Sequence, residues 1–143
     1  MRAVITGATG LIGRALTLRL LQEGHEVTVV TRDVARAASI LGEEVQAVTW
    51  TDVIALRAAL EGCDAVVNLA GESVVKRRWS AAQKEVLWAS RVDLTGKLVR
   101  TIGQCSVPPA VLINASAVGI YGHASGVVDE SSCLLYTSPS PRD

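Results

Sequence analysis

Three glycines near the start of the chain, Gly7, Gly10 and Gly13, stand at the spacing of a phosphate cradle. They follow the apolar run Ala3, Val4, Ile5 and precede a segment with Leu11, Ile12, Ala15, Leu16 and Leu20 at helical spacing. In such a strand–turn–helix unit Gly7 allows the sharp turn, and Gly10 lets the backbone come close to a pyrophosphate. Gly13 lets the helix pack tightly on the strand. The unpaired amides and positive dipole end of the helix then face the anion. A tight turn without a ligand is the alternative this motif alone leaves open. A second group with chemistry is Arg32, which follows the β-branched run Val27, Val29, Val30 and Thr31. A carboxylate there would hydrogen-bond an adenosine ribose, whereas a guanidinium suits bidentate contact with a phosphate. Thr31-Arg32 therefore favours NADP(H) over NAD(H). Asp33 counts the other way, since it could approach the ribose or pair with a solvated Arg32. The third is Ser116, a hydroxyl at the end of an apolar strand pattern, placed to hydrogen-bond a substrate oxygen. A turn serine satisfying its own backbone is the alternative there.

These groups need elements to carry them, and the chain alternates strand and helix patterns throughout. After the first helix, Gly24 closes a turn into a strand ending at Thr31-Arg32. An Ala-rich helix over about 33–41 stops at Gly42, and Val45–Trp50 reads as a third strand. Asp52 is placed to cap a helix through Leu60 that Gly62 terminates. Ala65–Ala70 is a fourth strand, and Asn68-Leu69-Ala70-Gly71 has the small residues that let a backbone approach a nucleotide. Ser80 with Gln83 gives a capping-box pattern, opening a helical region to about Gln104 with a break near Ser90. Pro108-Pro109 ends it before a fifth strand, Ala110–Ala115. Alternation of this kind predicts an α/β fold, a Rossmann-type doubly wound parallel sheet of order 3-2-1-4-5. Its ligand crevice lies at the carboxyl ends of strands 1 and 4.

Fourteen basic residues balance fourteen acidic ones in 143 residues, so no charge excess points to nucleic acid or an anionic membrane surface. No apolar run reaches the length of a membrane span, and the run after Arg2 is too short for a signal peptide. Three cysteines without a CxxC pair argue against a disulfide framework or zinc site and fit a reducing cytoplasm. Cys63 and Cys105 read as small buried hydrophobes. His25 and His123 suggest no metal site, and Trp79 and Trp88 no stacking platform for bases. Lys76-Arg77-Arg78 reads as a solvated basic run, the alternative being that one of them meets a substrate or cofactor phosphate. From Cys133 the composition shifts, and the residues to Asp143 match the translation of a common transposase sequencing adapter in order. We expect residues 1–132 to be the native domain and the natural gene to continue past Ser132. Resequencing tests this, and a stop codon after Asp143 would refute it. A sheet ending at strand 5 would carry an unpaired apolar edge and be poorly soluble.

Together, Thr6–Gly13, Gly24–Arg32 and Asp64–Glu72 resemble the short-chain dehydrogenase/reductase superfamily. Arg78-Trp79, Lys84, Ser90-Arg91 and Ser116 through Gly122 narrow the resemblance. They are similar to its atypical, NAD-dependent epimerase/dehydratase-like branch, often described as nucleoside-diphosphate-sugar epimerase. The resemblance covers residues 1–132. It implies a nicotinamide coenzyme over Gly7, Thr9, Gly10, Leu11, Ile12 and Gly13, with Thr31 and Arg32 at its adenosine phosphate. It further implies Leu69 and Ala70 beside the ribose and Arg91 near the coenzyme. The superfamily's Tyr-x-x-x-Lys pair is missing: Tyr121 and Tyr136 are followed four residues on by Ser125 and Ser140. Ser116 also stands five residues before Tyr121, where many sugar epimerases place the hydroxyl four before. Two expectations follow. One is NADP(H)-dependent chemistry at a carbinol carbon of a small or nucleotide-sugar-like substrate, with Ser116 in the hydroxyl network and this 143-residue chain inactive. The other is a non-catalytic NADP(H)-binding sensor or scaffold. Nothing in the sequence fixes an oligomeric state.

Overall fold

The computed structural model describes residues 1–74, 78, 80–116, 126–129 and 131–132. The expectations for Lys76, Arg77, Trp79, Tyr121, His123, Cys133, Tyr136 and the tail from 133 lie outside the described residues. Among the described residues five strands, β1 (Arg2–Thr6), β2 (Glu26–Thr31), β3 (Gln46–Thr49), β4 (Ala65–Asn68) and β5 (Val111–Asn114), alternate with helices. The helices are α1 (Leu11–Gln22), α2 (Val34–Leu41), α3 (Val53–Leu60), α4 (Ala81–Trp88) and α5 (Leu94–Ile102), with a π-helical turn at Ala89–Asp93. All four strand pairings are parallel, and the sheet order is β3-β2-β1-β4-β5, as the alternation predicts.

Side chains leave a strand on alternate faces, so the sheet divides the core in two. Ala3, Ile5, Val27, Val29 and Val67 pack with Leu20 of α1 and Ala37 and Leu41 of α2. Val4, Val30 and Val66 face the other way, onto Leu56 and Leu60 of α3 and Leu98 of α5. Ile5, Leu56, Leu60 and Leu98 are completely buried, each contributing about 1.5–3 kcal/mol of transfer free energy. The β5 edge, by contrast, leaves Val111, Leu112 and Ile113 exposed.

Local signals account for most element ends. Asp52 and Asp33 cap α3 and α2, accepting from Ala55 N at 2.9 Å and Arg36 N at 3.0 Å. The capping box at Ser80 is half realised. Its hydroxyl accepts from Gln83 N at 3.1 Å, but the Ser80 amide bonds Arg78 O instead, and the Gln83 side chain is buried. The buried face of α1 also differs from the expected stripe. Gly13, Thr17 and Leu20 face the sheet, whereas Leu11 and Ile12 are 92% and 69% exposed and Ala15 is exposed. The helix meets the β1 turn through Gly13, which rotates its first-turn apolar residues outward.

Candidate functional site

The carboxyl ends of β1, β4 and β5 lie in register, with Thr6 beside Asn68 and Asn68 beside Asn114. Each apolar strand thus ends in a polar residue, and these three bond to one another. Thr6 Oγ1 donates to Asn68 Oδ1 at 2.5 Å and accepts from the Ala70 amide at 3.1 Å. Asn68 Nδ2 donates to Asn114 Oδ1 at 2.6 Å and to Thr95 Oγ1 of α5 at 3.0 Å. The Asn68 carbonyl accepts from Ala115 N at 3.0 Å. This network was missed in the sequence. Its one visible signal is a polar residue closing three apolar strands, because the partners lie up to 64 residues apart.

Above this row sits the glycine turn. Gly7 has φ +70°, a left-handed conformation that glycine adopts without penalty. A Cβ there would stand 2.6 Å from the Leu69 carbonyl carbon and oxygen and 2.8 Å from the Ala70 amide nitrogen. Gly7 is therefore where the loops leaving β1 and β4 touch, bringing Leu69 and Ala70 to the turn. A Cβ on Gly13 would run into the Gly7 carbonyl oxygen. Gly10 donates its amide to Gly7 O at 3.0 Å, and as the N-cap of α1 it offers no side chain. The helical ladder begins with Arg14 N to Gly10 O at 2.9 Å. The amides of Leu11, Ile12 and Gly13 consequently find no backbone acceptor among the described residues. No acidic residue stands in the first turn of α1 to occupy its positive end. Thr9, Leu11 and Ile12 are exposed beside this turn.

Arg32 lies one residue past β2, exposed and without a hydrogen bond or ion pair to another described residue. Asp33 is not its partner. That carboxylate caps α2, and the Asp33 amide and carbonyl are both bonded by Thr31 Oγ1 at 3.2 Å. The residue that argued against a phosphate in the sequence is thus engaged with its own helix. On the other side, Arg91 of the π-turn reaches Glu72 O at 2.9 Å, just beyond Ala70 and Gly71. Ser116 is exposed, two residues beyond β5, and makes no hydrogen bond among the described residues.

A cleft of about 360 Å³ lies at the opposite edge of the sheet, among Arg2, His25, Glu26, Glu44, Gln46 and Cys63. It holds none of the residues above, and parallel sheets bind ligands at their carboxyl ends. Burial pushes the Cys63 and Cys105 thiols up, which suppresses thiolate chemistry in both. Among the described residues no group of His, Cys, Asp and Glu side chains could hold a metal. No helix there is long and apolar enough to cross a membrane.

Comparison with known proteins gives this geometry its context. The family model described as the NAD dependent epimerase/dehydratase family matches residues 3–142. The bovine Epimerase family protein SDR39U1 is 40% identical over 124 residues, which are 85% of this chain and 38% of that protein. The chloroplastic SDR39U1 homolog of Arabidopsis thaliana is 37% identical over 147 residues, covering 100% of this chain and 40% of that protein. The crystal structure of human SDR39U1 (isoform 2) with NADPH superposes with a TM-score of 0.75 at 33% identity. That match covers 94% of this chain and 43% of the human chain. The chain thus spans about 40% of the length of the curated relatives it matches.

Proposed function

The chain belongs to the NAD dependent epimerase/dehydratase family, and on that footing we propose that it binds NADP(H) at the carboxyl edge of its sheet. The observation that carries this reading is the trio of unpaired amides at Leu11, Ile12 and Gly13, beside a turn whose backbone leaves no room for a Cβ at Gly7 or Gly13. Those amides, with Gly7, Thr9 and Gly10, hold the diphosphate. Thr31 and Arg32 take the adenosine 2′-phosphate, Leu69 and Ala70 flank the ribose, and Arg91 approaches from the π-turn. The free guanidinium of Arg32 supports NADP(H) over NAD(H), as does the likeness to a human protein solved with NADPH. When bound, the coenzyme supplies hydride chemistry. The longer protein acts as an epimerase or oxidoreductase at a carbinol carbon of a small or nucleotide-sugar-like substrate. Ser116 hydrogen-bonds a substrate oxygen, and the 143-residue chain by itself is inactive.

A second reading, a coenzyme-binding sensor or scaffold without turnover, is favoured by one feature. The residue four beyond Tyr121 is Ser125 rather than lysine. Hydride transfer to a sugar nucleotide by a longer chain would exclude it. Titration with NADPH and NADH, on the parent and on Arg32→Ala, tests the coenzyme assignment. A guanidinium–phosphate contact is a charged hydrogen bond, so Arg32→Ala should weaken NADPH binding about ten- to hundredfold. NADH binding should be little changed. An unchanged NADPH/NADH ratio would remove Arg32 from the site.

A further inference from the structure

One turn of π-helix, Ala89–Asp93, separates α4 from α5, and such turns re-aim the side chains they carry and gather at functional sites. This one aims two consecutive residues at the loop leaving β4. The Ser90 hydroxyl donates to Leu87 O at 2.9 Å and accepts from the Glu72 amide at 2.9 Å. Arg91 Nη2 donates to Glu72 O at 2.9 Å, and its Nη1 lies 3.4 Å from both Leu87 O and Ser90 Oγ. Glu72 is therefore gripped at its N–H and its C=O by neighbours in one turn. Gly71 lies under the guanidinium, where a Cβ would come within 3.2 Å of Arg91 Cζ. One residue before Gly71, Thr6 Oγ1 holds the Ala70 amide. The segment that faces the glycine turn is thus pinned from β1 at one end and from the π-turn at the other.

We infer that Ser90 is a positioning residue for the coenzyme, acting through the Glu72 amide to hold Leu69–Glu72 at its working distance from the glycine turn. Its hydroxyl is committed to two backbone partners, so it acts by geometry and not as a proton donor to substrate. The inference rests on the coenzyme reading above. NADPH is titrated by calorimetry into the 143-residue chain and its Ser90→Ala and Ser90→Thr variants, with hydrogen exchange followed at the Glu72 amide. Loss of one such bond should weaken NADPH binding about three- to tenfold. Exchange at Glu72 should accelerate, and Ser90→Thr, which keeps the hydroxyl, should restore both to within about twofold. Ser90→Cys, nearly isosteric, replaces the alanine variant in this comparison if that variant does not fold. Faster exchange at Glu72 with unchanged NADPH affinity would overturn the inference while leaving the coenzyme site standing. A parent chain that takes up neither NADPH nor NADH would overturn the coenzyme reading, and the inference with it.

Discussion

At position 13 the room for a side chain is already taken by the backbone of the turn it faces. An added methyl would collide with the Gly7 carbonyl oxygen and stand 2.7 Å from Ala8 Cα. No flexible side chain is there to yield, so the turn itself must move. Gly13→Ala should destabilise the fold by about 1–3 kcal/mol, read by urea denaturation, and weaken NADPH binding at least about tenfold because the three amides lose their convergence. Wild-type affinity in that variant would mean that the turn does not hold the ligand. Residues of this kind were legible in the sequence because glycine announces a backbone requirement by its identity. Arg32 was legible only in part. Its freedom depends on whether Asp33 faces the ribose or the helix, and that is decided by the Arg36 amide, which no spacing rule assigns. Thr6, Asn68 and Asn114 were illegible as a group, since their bonds cross the sheet.

Among the elements, boundaries followed local chemistry closely wherever a cap or a turn set them. The break expected near Ser90 is the π-turn, yet its purpose could not be read from the sequence, because Glu72 lies on a different loop. A parallel case holds the loop entering β5. The Glu61 carboxylate, at the end of α3, accepts from Ser106 N at 3.0 Å and from Val107 N. Those two amides, Val107 first, hold its carboxyl below the usual range. A carboxylate whose folded pKa is depressed stabilises the fold above its unfolded pKa and loses that contribution as pH falls through the folded value. Thermal unfolding followed from pH 7 down to pH 3 should therefore show an acid limb that Glu61→Gln flattens. The effect should be modest because solvent reaches and screens the carboxylate, and an identical limb in both proteins would remove Glu61 from the acid response.

For the molecule as a whole, strand order was the most legible feature. Alternating β-branched and amphipathic segments admit few parallel arrangements, and the right-handed crossover rule selects among them. What the sheet does with that order is to align three strand ends, Thr6, Asn68 and Asn114, and to lay the glycine turn across the first two. Val111, Leu112 and Ile113 of β5, at the sheet edge among the described residues, are exposed. The central claim concerns three backbone groups, and the direct measurement is a titration of NADPH into the ¹⁵N-labelled chain followed at each amide. The largest shifts should fall on Leu11, Ile12 and Gly13 and saturate together with the calorimetric binding curve. Binding that leaves those three amides unmoved, or no binding at all, would contradict the account.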